Sequence, residues 1–121
     1  MGIKSIDHVQ LAMPRGSEDE ATAFYEGVLG IPRVPKPANL EVRGGCWFEL
    51  DGLKLHLGTE DGFVPAKKAH PALLVEDLTS FKLYLEAAGV AVRIEEPLEG
   101  YDRCYVDDPF GNRIELLEPL S

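Results

Sequence analysis

The chain has 121 residues, 45% of them hydrophobic and 27% charged, enough to bury a core of one domain and too few for two independent ones. With 21 acidic against 12 basic side chains and a formal net charge of −9, and no basic cluster longer than Lys67-Lys68, no nucleic-acid partner is expected. No apolar run approaches the roughly eighteen residues that cross a bilayer, and MGIKSIDHVQL lacks the parts of a secretory leader, so no membrane partner and a cytoplasmic location are expected.

The first element is DHVQLA, residues 7–12, an apolar strand opened by His8. Residues 17–29 then place Ala21, Phe24, Tyr25, Val28 and Leu29 at helical spacing, with Ser17 as the expected cap and Glu20 three positions on. Gly30 suits the left-handed residue that ends a helix. A short strand at about 31–35 and a polar loop lead to GCWFEL-DG-LKLHLG, where Asp-Gly between alternating apolar runs predicts a hairpin. In its return strand Leu53, Leu55 and Leu57 share one face, and Lys54 and His56 the other. A two-residue turn sets Trp47 across from His56 and Glu49 across from Lys54, and sends Cys46 and Phe48 to the leucine side.

After the connection GTEDGFVPAKK the pattern recurs. His70 opens AHPALL, residues 69–74, and a helix over 78–88 carries Leu78, Phe81, Leu85 and Ala88 on one stripe, with Asp77 to cap it and Gly89 to stop it. A strand at about 90–95 precedes the hairpin RCYVDDPFGNRIELLE, which turns through DPFGN. A three-residue loop there sets Tyr105 across from Glu115 and turns Cys104 and Val106 inward. His8 then matches His70, and His56 matches Glu115. The expected fold is α+β: one domain of two βαβββ modules, about residues 1–60 and 67–121, with helices outside and the polar sheet faces curled around a shared cavity.

That cavity face holds all three histidines and one carboxylate. A lone strand histidine is most simply a hydrogen-bonded interior side chain, but four such residues on equivalent positions of a repeat point to ligands. His8, His56, His70 and Glu115 form a nitrogen and oxygen donor set for one divalent transition metal: iron, manganese, cobalt, nickel or zinc. Two coordination positions would remain for adjacent substrate oxygens. Trp47 and Tyr105 would flank the ion as an apolar wall and an orienting hydroxyl. Gln10 shares the face of His8 as a substrate contact, and Arg43, Lys67 and Lys68 could meet an anionic substrate. Cys46 and Cys104 fit no metal or disulfide spacing and are expected as reduced core residues.

The motifs IDHVQLAM, FYEGVLGIP, AHPALLVEDL and VDDPFGNRIELLE resemble the vicinal oxygen chelate superfamily, which includes glyoxalase I, extradiol dioxygenases, methylmalonyl-CoA epimerase, fosfomycin-resistance transferases and bleomycin-binding proteins. The resemblance spans essentially the whole chain. It implies a glyoxalase-like fold with mixed sheets, a metal on His8, His70 and Glu115 with His56 in the fourth slot, and a homodimer, with the metal site built either within one chain or across two. Glu115 would be a ligand that also acts as base, and Tyr105 a second catalytic group, as in the fosfomycin enzymes. His56 replaces the glutamate of glyoxalase I and the glutamine of the epimerase, and Ala12 stands where glyoxalase I carries an arginine for glutathione. The implied activity is isomerase or lyase chemistry on a small substrate with vicinal oxygens. The alternatives are antibiotic sequestration of the bleomycin-resistance type and extradiol dioxygenation.

Overall fold

In the computed structural model, which describes residues 1–121, the chain divides into two units, Met1–Val64 and Pro65–Ser121. The first runs β1 (Val9–Met13), α1 (Glu18–Tyr25), β2 (Arg33–Val34), α2 (Ala38–Glu41), β3 (Cys46–Leu50) and β4 (Leu53–Thr59). The second runs β5 (Ala72–Leu74), α3 (Leu78–Ala87), β6 (Tyr101–Asp107) and β7 (Arg113–Pro119). Both units build a mixed sheet, in the order β1-β4-β3-β2 and β5-β7-β6. The opening strand pairs parallel to the last one, β1 with β4 and β5 with β7, and the hairpins pair antiparallel.

Two turns set the registers. Asp51 at φ 46° and Gly52 at φ 86° are both left-handed, a turn whose twist matches that of the flanking strands, and it brings Trp47 against His56 and Glu49 against Lys54 as expected. In DPFGN the Asp108 carboxylate accepts the backbone N–H of Phe110 and of Asn112 at 2.9 and 2.8 Å, and the Asn112 amide donates back to it at 2.8 Å. This side-chain clasp mimics backbone turn bonding and fixes Tyr105 against Glu115.

Strand alternation then sorts the faces. Cys46, Phe48, Leu55 and Leu57 are at most 1% exposed, and α1 covers β3 with Ala21, Phe24 and Tyr25, whose ring lies 5.3 Å from Phe48. In the second unit Cys104, Val106, Ile114 and Leu116 are buried, as are Leu78 and Leu85 of α3. Full burial of one such leucine contributes about 1.5–3 kcal/mol. Both cysteines are free.

Several expectations shift. Ser17 makes no side-chain capping bond; instead the neighbouring Glu18 carboxylate leaves the helix and accepts the N–H of Gly45 at 2.7 Å, tying α1 to the start of β3. Asp77 does cap α3, accepting from Ser80 N–H at 3.1 Å. The strand expected at 31–35 shrinks to Arg33–Val34, bounded by Pro32 and Pro35, which have no N–H to give a ladder. The strand expected at 90–95 is a single bridge in which Arg93 and Tyr105 exchange backbone bonds of 2.9 and 2.8 Å. The loop after β2 contains one helical turn, α2, capped by Pro37. β5 begins two residues after His70, at Ala72, because Pro71 cannot donate to the ladder.

Candidate functional site

In the first unit, β1 and β4 set Gln10 beside His56, and β3 sets Trp47 on its other side. The His56 ring is sandwiched: Trp47 stacks at 4.1 Å with 4° between planes, and His8 stacks at 4.3 Å with 21°. His8 pairs through Nδ1 with Asp7 at 3.0 Å and is 43% exposed. His56 is 5% exposed, and its Nε2 is buried without a hydrogen-bond partner. Burial, then the neighbouring His8, hold the His56 imidazole below the usual histidine range, so the ring is neutral at neutral pH and one of its nitrogens carries a free lone pair.

In the second unit, Glu115 of β7 is the hub. His70 Nε2 lies 2.9 Å from Oε1, Tyr105 Oη donates to Oε1 at 3.4 Å, and Arg103 Nη1 lies 3.4 Å from Oε2. The other nitrogen of His70 donates to the Lys68 carbonyl at 2.6 Å. A carbonyl only accepts, so Nδ1 carries the hydrogen, and Nε2 faces the carboxylate with either a lone pair or a second proton. Burial raises Glu115, but the bonds from His70 and Arg103 and the Arg103 charge outweigh it, and the carboxyl sits below its usual range. Arg113 stacks its guanidinium 4.1 Å over the Tyr105 ring and pairs with Glu95 at 2.8 Å.

The sequence therefore brings His8, His56, Trp47 and Gln10 to one face of the first sheet, and His70, Glu115 and Tyr105 to one face of the second. No group of three or more His, Cys, Asp or Glu side chains is arranged to hold a metal ion; each unit supplies two. Arg103 and Arg113 were missed by sequence reasoning, although the alternation that placed Tyr105 and Glu115 puts both on the same face, two residues away on each strand. Arg43 lines a cavity beside Trp47, whereas Lys68 reaches the site through its backbone carbonyl on His70 and Lys67 is exposed.

A model of the Glyoxalase/Bleomycin resistance protein/Dioxygenase superfamily matches residues 5–116. The chain belongs to this superfamily. A superfamily structure from Bacillus anthracis, of a glyoxalase family protein, is 46% identical, with 98% of each chain covered and a TM-score of 0.94. An antibiotic binding protein from Streptomyces sp. shares the fold at 22% identity, 98% of each chain and a TM-score of 0.76. A lactoylglutathione lyase from Agrobacterium tumefaciens does so at 22% identity, 98% of this chain and 96% of that one, with a TM-score of 0.74. No curated protein matches the chain.

The superfamily typically uses a divalent metal; in this chain His70 and Glu115 supply one adjacent nitrogen and oxygen donor pair, which no third such side chain joins. Cis ligands at about 2.1 Å from an ion lie about 3 Å apart, close to the 2.9 Å between His70 Nε2 and Glu115 Oε1. The Lys68 carbonyl behind His70 is the kind of outer partner that orients a ligating imidazole. In the first unit the His56 Nε2 is buried without a hydrogen-bond partner, on a ring held neutral. No helix is long and apolar enough to cross a membrane.

Proposed function

We propose that this chain is a metal-dependent enzyme of the isomerase or lyase type, acting on a small substrate with vicinal oxygens, with the ligands of a divalent ion drawn from among His8, His56, His70 and Glu115. The observation that carries this reading is His70: its Nδ1 is committed to the Lys68 carbonyl while its Nε2 faces a carboxylate at 2.9 Å, a place for a cation. Iron, manganese, cobalt, nickel and zinc all suit the donor set. The ion, when bound, supplies Lewis-acid polarisation of two adjacent substrate oxygens.

The chain's own groups do the rest. Glu115, kept ionised by the bonds from His70 and Arg103, takes a proton from substrate carbon. Tyr105, whose hydroxyl already reaches that oxygen and whose ring is backed by Arg113, returns a proton or donates to a developing oxyanion. Trp47 and Gln10 hold the substrate body. The chain works as a cytoplasmic homodimer, a state that sedimentation at micromolar concentration checks.

Metal analysis of protein purified without a histidine tag tests the reading. About one equivalent of ion is expected, and Glu115→Gln should lower affinity by more than about tenfold while the protein stays folded. Absence of stoichiometric ion, or unchanged affinity in the variant, overturns it. A second reading, sequestration of a small toxic compound without chemistry, draws support from Arg103, which already balances the Glu115 charge without an ion; metal-free protein that binds ligand and turns nothing over favours it. Oxygen consumption with catechols by the iron form would favour extradiol chemistry, with His56 standing back from the ion.

A further inference from the structure

We infer that the first unit holds an oxyanion subsite beside Trp47, which takes a small planar molecule bearing a carboxylate, phosphate or phosphonate. A cavity of about 200 Å³ is lined by Gln10, Lys36, Leu40, Arg43, Trp47 and Gly58, among others. At that volume, below the ~300–1,000 Å³ of drug-sized pockets, it suits one ring with one substituent.

Charge identifies the substituent. In a chain with 21 acidic and 12 basic side chains, this cavity is lined by two cations and no carboxylate. Lys36 donates to the Gly44 carbonyl. Arg15, Arg93, Arg103 and Arg113 are all paired with carboxylates, and Arg33 donates to Thr22; the Arg43 guanidinium makes no such bond. An unpaired planar fork on a residue that lines the cavity matches the geometry of a carboxylate or phosphate.

The wall is also built. After α2 the chain reaches β3 through Gly44 and Gly45, and a Cβ on Gly45, whose φ is 86°, would stand 2.3 Å from the Leu57 carbonyl oxygen. Thr59 Oγ1 donates to the Arg43 carbonyl at 3.2 Å, pinning that residue to β4. On the floor, a Cβ on Gly58 would stand 2.5 Å from Gln10 Nε2, so glycine leaves the amide room to lie across the strand. An aromatic ring beside Trp47 would find a stacking surface and the Gln10 amide would supply a polar contact.

The inference rests on the proposed function only for the use of Trp47 and Gln10 as ligand contacts, and chelator-treated protein separates the two, since no ion is needed here. Trp47 is the only tryptophan, so its emission reports occupancy. Phenylphosphonate and benzoate are titrated into metal-free protein, with benzyl alcohol as the uncharged counterpart. Saturable quenching by either anion and not by the alcohol is expected, weakened about tenfold or more in Arg43→Gln and only partly restored in Arg43→Lys, which keeps the charge and loses the fork. Arg43 is exposed, so both variants should keep the wild-type circular dichroism spectrum. No saturation with either anion, equal binding of benzyl alcohol, or unchanged affinity in Arg43→Gln overturns the subsite. Stronger binding of phenylphosphonate than of benzoate would assign it to a dianion; the reverse assigns it to a carboxylate.

Discussion

Across from Trp47 in the first unit stands His56; across from Tyr105 in the second stands Glu115. The first pair is a flat stack with a neutral imidazole and an unpartnered nitrogen, whereas the second is a charged network in which His70, Tyr105 and Arg103 all reach one carboxylate. The backbone keeps one solution in both halves, with an opening strand parallel to the last and a hairpin beside it. The side chains on that ladder are solved twice. A repeated scaffold fixes where groups stand, and leaves their charge free to differ.

The comparison can be broken first at the approach to the hairpins. A Cβ on Gly45 before β3, at φ 86°, would meet the Leu57 carbonyl, while one on Gly100 before β6, at φ 84°, would have nothing within 4 Å. Gly45→Ala should cost about 2–4 kcal/mol in denaturant unfolding, against roughly 1 kcal/mol for Gly100→Ala. Equal losses would show that the close approach in the first unit relaxes freely.

Removal of the central polar group should part the units next. Glu115→Leu leaves Arg103 and His70 facing an apolar side chain and should cost about 2–3 kcal/mol. His56→Phe keeps an aromatic ring in the stack and deletes a buried nitrogen that bonds nothing, so stability should hold or rise by up to ~1 kcal/mol. A large loss from His56→Phe would mean that the nitrogen has a structural partner.

A pH effect sharpens the contrast further. The Gly45 N–H, ahead of the opposing effect of burial, holds the Glu18 carboxyl below its usual range. A depressed folded value contributes stability that is present above the unfolded pKa, about 4.3, and is lost as pH falls through the lower folded value. Wild type and Glu18→Gln should therefore differ in melting temperature at pH 7 and converge as pH falls through the folded value. The smallest effect is at the helix caps: Asp77→Ala should lower the melting temperature by a few degrees, and Ser17→Ala should leave it unchanged, since only Asp77 bonds its helix.

Much of this was legible beforehand because the signals are local. Asp51-Gly52 and Asp108 to Asn112 carry their own turn chemistry, so both hairpin registers and the facing pairs of the site follow from spacing alone. The cap of α1 was not legible: Ser17 has the right chemistry, but the helix start is tied by Glu18 to a glycine far along the chain, and long-range competition of that kind leaves no local mark. Arg103 and Arg113 were legible by alternation and overlooked because charged strand residues are usually solvated. The edge strand near Arg93 dwindles to one bridge, where weak patterning gave the boundary little to rest on.

The two buried thiols bear on how each half opens. Cys46 and Cys104 sit immediately before Trp47 and Tyr105, each on its own hairpin and fully packed. Burial pushes the Cys46 thiol up to about 11 and raises Cys104 as well, so neither presents appreciable thiolate to an alkylating reagent while its strand is paired. Labelling then waits on local unfolding. Each unit thus carries a single chemical clock beside its ladder, and two labelling rates from one sample report whether the halves loosen together or one at a time.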